Sequence, residues 1–462
     1  MQSLDEIKSY SAAVCEQIRW KKARPGIARE LEDHICDQRD YYLAEGEEED
    51  LATRKAVLQM GDAVSVGLEM DKIYRPKPQW VLLLLTAALI VIGSAARYFL
   101  SVQNPFGIVS RNSDFVPTVI AIGILLTAYF LDFTALAKHP GLCYFLTLFM
   151  GIAGLILRSQ VNGRRWWISI AGFSFSLPYL ALIFPLVYAL IIYAMRNRGR
   201  LGILQCAIAY IPFAVILLLL PTATGFAIYT FSAWILLFLA MRKGWFGCSR
   251  RQSQFLGAAL TAALVLCLLA MLLEPYRFER LRILINPDAH LHGYMTVMVR
   301  DLMSGSAFSG SGTIPRQYGD SLLSGPLFDT DLMLTALTHS YGWIVFAGIV
   351  LLFIVFSALG FLYASRQKSM LGTLVSLSIL LIFAGQTVVY VAANLGYGLL
   401  TAMSLPLVSY GKASLFLNAA LIGIMLSVFR SGDLIRDGGE TDRKSRQIVK
   451  MEDGKLVINL RG

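Results

Sequence analysis

Two carboxylates, Asp329 and Asp331, stand two residues apart just ahead of an apolar run that opens Leu332-Met333-Leu334. A carboxylate entering hydrocarbon loses its hydration, at roughly 2.5–3.5 kcal/mol at a helix centre and less near the interface. Held at such an edge, it suits a polar cavity, where it can accept a proton from a substrate hydroxyl. The same residues also suit a helix start, with Asp329 or Thr330 receiving free N–H groups at the positive end of the helix dipole. Both readings stand on sequence alone. Cationic groups that could meet a phosphate lie elsewhere. Arg164 and Arg165 follow Asn162-Gly163 and precede Trp166-Trp167, while Arg277 and Arg280 fall on one face of a helical Tyr276-Arg277-Phe278-Glu279-Arg280. Planar guanidinium groups grip phosphate oxygens in pairs. They could equally contact lipid headgroups or pair with Glu274 and Glu279, and Trp belongs in the headgroup belt in any case. A Gly/Ser loop, Ser304 to Gly312, leads toward the two carboxylates.

Membrane helices must position these groups. The 462 residues are 56% hydrophobic and only 16% charged, with a mean hydropathy of +0.59. That balance describes an integral membrane protein rather than several soluble domains. Apolar runs long enough to cross the hydrocarbon core predict about ten spans, at roughly 80–101, 116–135, 140–157, 173–195, 201–220, 223–241, 254–273, 331–364, 370–393 and 404–429. The eighth is long enough that it must tilt or begin as a surface helix. The expected class is therefore all-α and polytopic. Residues 1–75 form a small cytoplasmic helical bundle, residues 80–430 the membrane domain with a long extracellular loop at 274–330, and residues 431–462 a polar, mobile cytoplasmic tail.

Basic residues set the expected orientation. Arg196, Arg198, Arg200, Arg242, Lys243, Arg250, Arg251, Arg366 and Lys368 fall on one side of a ten-span arrangement, as do both termini. The positive-inside rule makes that side the cytoplasm of a bacterial plasma membrane. The net charge of +10 thus reflects topology and anionic lipid, and gives no sign of a nucleic-acid partner. The charged N-terminus predicts no cleavable signal peptide. Of the six cysteines, Cys143, Cys206 and Cys267 fall in apolar spans and the others on the reducing side, so no disulfide is expected. Cys36 and His34 lack the further ligands of a zinc site. No P-loop, GxSxG or HExxH pattern is present, which disfavours an ATP-driven pump and a membrane zinc protease.

Within the first 75 residues, Leu4, Ile7, Val14 and Ile18 recur at helical spacing, as do Ile27, Leu31 and Ile35. Glu47 to Asp50 suit a helix N-terminus, and Gly61-Asp62 breaks and restarts a helix, so three or four short helices are expected. A Leu-Glu-Asp-His run followed by a Met-Gly-Asp turn resembles the helical prefix domains of some bacterial permeases, which implies regulation or assembly.

Four motifs in order give the membrane domain a resemblance to the shape, elongation, division and sporulation (SEDS) family, the RodA, FtsW and SpoVE proteins. Asn162 to Ile168 is similar to the family's Asn-Gly-x-x-Arg-Trp-Ile loop. Tyr276 to Pro287 is similar to its Tyr-Arg-x-x-Arg and Asn-Pro. Asp329-Thr330-Asp331-Leu332-Met333 is similar to the His-Thr-Asp-Phe-Ile box that carries its catalytic aspartate. Leu405-Pro406-Leu407-Val408-Ser409-Tyr410-Gly411-Lys412-Ala413-Ser414 is similar to its closing Leu-Pro-x-x-Ser-Tyr-Gly-Gly-Ser-Ser, with Gln386 and Asn394-Leu395-Gly396 ahead of it at the family spacing.

The resemblance implies a peptidoglycan glycosyltransferase that polymerises lipid II, the undecaprenyl-pyrophosphate-linked disaccharide-pentapeptide, together with a class B penicillin-binding protein. Asp331 would be the catalytic base. Asn162, Gly163, Arg165, Arg277, Arg280, Asp329, Ser409 and Tyr410 would bind substrate. A divalent cation could assist, although the sequence shows no metal site. Departures from the family are equally definite. Its Gln-Pro-Ser-Glu, followed one turn later by Lys, is replaced by Ser176-Leu177-Pro178-Tyr179-Leu180-Ala181-Leu182. Its Pro-Asp-Leu-Gly turn is replaced by Pro221 to Gly225, and His339 and Ser340 occupy later Glu positions, with His339 a candidate substitute partner for Asp331. Two further readings follow from these losses: a transporter of lipid-linked precursor, or a non-catalytic regulatory scaffold.

Overall fold

The computed structural model describes residues 2–21, 23–103, 115–161, 164–170, 173–220, 222–272, 275–286, 293–318, 323, 328, 330–401, 403–432, 449–452 and 455–458. The chain forms two compact units, Met1–Pro78 with Asp433–Gly462, and Gln79–Gly432.

The first unit holds four helices, α1 (Gln2–Gln17), α2 (Arg24–Ala44), α3 (Glu49–Gln59) and α4 (Ala63–Tyr74). Their apolar stripes meet in one core that includes Ile7, Val14, Ile18, Leu31, Ile35 and Met70. Gly61 takes φ +87°, and Asp62 then caps α4 by accepting the Ser65 N–H at 2.9 Å. That arrangement satisfies one of the donors a helix start leaves open. Part of the tail lies among the described residues. Val449–Glu452 (β1 of the tail pair) and Lys455–Ile458 form an antiparallel hairpin, with Val449 opposite Ile458. Alternating apolar residues around Asp453-Gly454 are a hairpin signal.

In the second unit, eight helical stretches are long and apolar enough to cross a membrane among the described residues. They are α5 (Trp80–Gln103), α8 (Pro140–Leu157), the stretch Leu177–Ala194 that ends in α9 (Phe184–Ala194), α10 (Gly199–Leu219), α11 (Ala223–Arg242), α16 (Trp343–Ser365), α17 (Met370–Asn394) and α18 (Lys412–Ser431). Shorter or more polar helices are α6 (Phe115–Phe130), α7 (Thr134–Lys138), α12 (Arg250–Leu272), α13 (Pro275–Ile285), α14 (Tyr294–Ser304) and α15 (Met333–Tyr341). Helix α9 is buried from Phe184 through Ile192, whereas α5, α8 and α16 leave large apolar side chains such as Leu84, Phe149 and Leu351 exposed, as lipid-facing helices do. A Cβ on Gly423 of α18 would stand 2.5 Å from the Leu125 carbonyl of α6. Only glycine permits that approach between two membrane helices.

Three predicted spans take a different form. The run 173–195 opens as a strand and a 3-10 turn, Leu177–Leu182, before α9. Its strand completes a three-stranded antiparallel sheet of Ser159–Val161, Arg164–Ile170 and Phe173–Ser176, because β-branched and aromatic residues there favour pairing over helix. The run 331–364 is two helices, not one tilted helix. Gly342 takes φ +96° between α15 and α16, and a Cβ there would meet the Phe308 carbonyl at 2.6 Å. The run 404–429 becomes helical only at Lys412. Residues 403–411 are a buried irregular segment in which Leu407 takes φ +61°. Its apolar composition reflects burial in protein, where irregular backbone is tolerated.

Candidate active site around Asp331

Asp331 sits half-buried in a turn just ahead of α15, whose residues Met333–His339 are all buried. The helix begins at Leu332 with no side-chain cap from that residue. Asn394, at the end of α17 and fully buried, takes the capping role instead. Its Oδ1 receives the Thr335 N–H at 2.9 Å and the Thr335 hydroxyl at 3.0 Å. Its Nδ2 donates to the Asp331 carbonyl and to the Tyr390 carbonyl, both at 2.9 Å. The Tyr390 hydroxyl donates to the Thr330 carbonyl at 2.8 Å. A buried amide with both ends engaged fixes a turn firmly. A side chain from another helix thus caps α15, and the backbone on either side of the Asp331 carboxylate is tied to α17; the Asp329 of the expected cap lies outside the described residues.

The opposite wall comes from the 3-10 turn and from residues 403–411. Half-buried Tyr179 in that turn lies within electrostatic reach of Asp331, and the buried Ser404 and Ser414 hydroxyls bond each other. Residues 403–411 are held from α5 by Arg97, only 1% exposed. Its Nη1 donates to the carbonyls of Val408 at 2.6 Å and Leu407 at 3.3 Å, and its Nη2 to the hydroxyls of Ser94 and Thr118, each at 3.3 Å. Gly93 lets α5 approach, since a Cβ there would meet the Leu407 carbonyl at 2.5 Å. Ser409 closes the segment on itself, its Oγ accepting the Leu405 N–H at 2.8 Å. Ser409 and Tyr410 line a small recess with Arg97, Pro117 and Lys412.

Arg97 escaped the sequence reading. Its signal was plain: an ionisable residue within an apolar span is costly, and so marks a site by default. Arg300 escaped it too. It donates from Nη2 to the Leu284 carbonyl of α13 at 2.9 Å and from Nε to the Gly396 carbonyl at 3.2 Å, and stacks over Tyr397 at 4.9 Å. Because Gly396 lies two residues past Asn394, Arg300 pins α13, and with it half-buried Arg280, to the end of α17. Nearby, Asp301 accepts from Gln317 Nε2 at 3.0 Å and from the Tyr318 hydroxyl at 2.8 Å. Burial, reinforced by that bond, pushes the Tyr318 hydroxyl up to about 12.

The remaining expected site residues are placed less fully. Arg165 lies in the central strand of the sheet opposite Gln160, and Arg277 lies in α13; both side chains are outside the described residues, as are Asn162, Gly163 and Asp329 altogether. His339, a candidate partner of Asp331, faces elsewhere. Its Nδ1 meets the Leu302 carbonyl at 3.2 Å, and its own carbonyl receives the Gly312 N–H at 2.7 Å. It fastens the Gly/Ser loop to α15. Eight residues beyond Asp331, a buried imidazole satisfied by α14 has no reason to turn back. Among the described residues no three His, Cys, Asp or Glu side chains converge. The described surroundings of Asp331 are hydroxyls and amides, which do not fit a divalent cation held by protein ligands alone.

Comparison with known proteins places this architecture. The FtsW, RodA and SpoVE family model, described as "Cell cycle protein", matches residues 77–433. A protein of Pseudoalteromonas atlantica named "Probable peptidoglycan glycosyltransferase FtsW" is 27% identical over 361 residues, covering 75% of this chain and 70% of that protein. The like-named protein of Enterococcus hirae is 24% identical over 412 residues, covering 81% and 96%. A chain from the structure described as "Structural coordination of polymerization and crosslinking by a peptidoglycan synthase complex" shares the fold, with a TM-score of 0.58 and 23% identity over 77% of this chain and 98% of that one. The rod shape determining protein RodA of Thermus thermophilus does so with a TM-score of 0.51 and 20% identity over 77% and 97%.

Proposed function

Because the chain belongs to the FtsW, RodA and SpoVE family and is a multi-pass membrane protein, we propose that it is a peptidoglycan glycosyltransferase that polymerises lipid II during cell-wall synthesis. Relatives named for that activity support the reaction. The observation that carries the site is Asp331 in a turn locked by Asn394 and Tyr390.

Asp331 accepts the proton of the acceptor sugar's hydroxyl as that oxygen attacks the anomeric carbon of the donor. A β-1,4 glycosidic C–O bond forms, the C–O bond to the lipid pyrophosphate breaks, and the electron pair leaves with the pyrophosphate. Arg165, Arg277 and Arg280 offset the charge that develops on that leaving group. Asn162, Gly163, Asp329, Ser409 and Tyr410 bind substrate. No step is routed through a metal.

Basic short connections favour cytoplasmic N- and C-termini in the bacterial plasma membrane, with polymerisation on the outer face. Residues 1–75 act in regulation or assembly, and residues 431–462 form a cytoplasmic tail. The similar chain drawn from a complex that couples polymerization to crosslinking supports a class B penicillin-binding protein as partner. Purified protein incubated with lipid II, alone and with candidate transpeptidases, is expected to yield glycan chains on a gel, and Asp331→Ala to yield none while remaining folded. Movement of labelled lipid II across vesicles without polymer would establish a transporter instead, and neither activity would leave a scaffold.

A further inference from the structure

Helices α13 and α17 end against the same side chain, the partly buried guanidinium of Arg300 on α14. Leu284 lies in the last turn of α13, where carbonyls lack a partner within the helix. Its oxygen receives Arg300 Nη2 at 2.9 Å. The other helix is closed by Gly396 at φ +79°. There the Gly396 N–H donates to the Ala393 carbonyl at 3.1 Å, and the Tyr397 N–H to that of Ala392 at 2.8 Å. This crossed pair of bonds is a Schellman turn. The Gly396 carbonyl receives Arg300 Nε at 3.2 Å, and the Tyr397 ring lies 4.9 Å from the guanidinium. One cation thus serves the negative ends of two helix dipoles and stacks on an aromatic face. The fit is close, since a Cβ on Gly396 would stand 2.5 Å from Arg300 Cγ.

Both clamped ends carry residues of the proposed reaction. Asn394, the last residue of α17, stands two before Gly396 and donates to the Asp331 carbonyl at 2.9 Å. Arg280 stands one turn before Leu284, on the same stripe of α13. A continuous series of bonds therefore joins the backbone of Asp331 to the helix that bears Arg280, with Arg300 as the link between α17 and α13. Resting on the glycosyltransferase reading, we propose that Arg300 is a positioning residue: its clamp holds Arg280 at a set separation from Asp331. The charge developing on the leaving pyrophosphate then meets the Arg280 guanidinium while Asp331 takes the acceptor's proton. Arg300 itself moves no proton, since backbone carbonyls engage its Nε and Nη2.

The test measures glycan formation from lipid II by purified full-length protein, with kcat and KM separated and thermal unfolding followed alongside. The proteins are wild type, Arg300→Gln, Arg300→Lys, Arg280→Ala and the Arg280→Ala/Arg300→Gln pair. Arg300→Gln is expected to lower kcat at least about tenfold, toward the roughly hundredfold that a displacement near 1 Å costs, with KM within about threefold. Arg300→Lys keeps the charge but not the planar fork, and is expected to fall between wild type and Gln. In the Arg280→Ala background the same Gln change is expected to cost less than about threefold, because residues that act through one another are not additive. A brace that serves the fold alone lowers the unfolding temperature and slows both backgrounds by the same factor, and that result overturns the proposal. Wild-type kcat in Arg300→Gln or in Arg280→Ala also overturns it, and leaves the glycosyltransferase reading intact. Should Arg300→Gln not fold, Arg300→Lys carries the same comparison in both backgrounds. If wild type makes no polymer, the glycosyltransferase reading fails and takes this inference with it.

Discussion

Replacing Asn394 by Ala separates the part of the site that is shape from the part that is chemistry. The amide makes four hydrogen bonds, two received by Oδ1 from Thr335 and two donated by Nδ2 to the Asp331 and Tyr390 carbonyls. The Tyr390 carbonyl lies within α17, so its loss is the smallest. The buried Thr335 N–H and the partly buried Asp331 carbonyl lose this partner, at about 1–3 kcal/mol for the first and toward the low end of that range for the second. A loss near 3 kcal/mol in resistance to thermal or denaturant unfolding is therefore expected. Freed from its anchor, the Asp331 turn can shift, and a displacement of about 1 Å at a reacting group costs on the order of 100-fold in rate. Unfolding of the purified protein and glycan synthesis from lipid II read the two effects separately. Asp331→Ala is the necessary contrast, since it should lose the rate and keep the stability. Wild-type stability in Asn394→Ala would refute the capping role. Lost stability with an unchanged kcat in the folded fraction would refute the link from capping to catalysis.

Two further outcomes follow from single contacts. Arg97→Lys keeps a buried charge but loses the fork that joins the Leu407 and Val408 carbonyls to the Ser94 and Thr118 hydroxyls, while Arg97→Met removes charge and fork together. Both should slow polymerisation, and Lys should destabilise more than Met by about 1–3 kcal/mol; indistinguishable unfolding of Arg97→Lys and wild type would contradict this. In the N-terminal unit, the Ser65 backbone and hydroxyl bonds hold the Asp62 carboxyl below its ordinary range. Its contribution to stability is then fully present above the unfolded carboxyl's pKa and is lost as pH falls through the lower folded value. Asp62→Asn should cap α4 without that acid dependence, and Asp62→Ala should weaken α4 at every pH, both followed by helical signal against pH.

Much of this arrangement could be read in the residues. Apolar runs of about 20 residues located the spans, and four short motifs located the acidic turn and the family. What stayed hidden depended on contacts between distant residues. The run 331–364 is apolar throughout, so nothing local announces that Gly342 adopts a positive φ. The segment 403–411 is apolar because it is buried, and composition cannot separate burial in protein from burial in lipid. Asn394 was visible as a motif position, but its bond to Thr335 spans 59 residues of sequence.

The break at Gly342 has a mechanical meaning. The Gly/Ser segment lies along both sides of it, with Gly310 and Gly312 donating to the Tyr341 and His339 carbonyls, and Trp343 and Ile344 donating to those of Ala307 and Phe308. A continuous rod would spread any tug on that segment along its whole length. A break at Gly342 instead leaves two separate helix ends, and the segment bonds to both of them. Residues 305–312 therefore splice the two helices across the break, joining α15 through His339 and Tyr341 to α16 through Trp343 and Ile344.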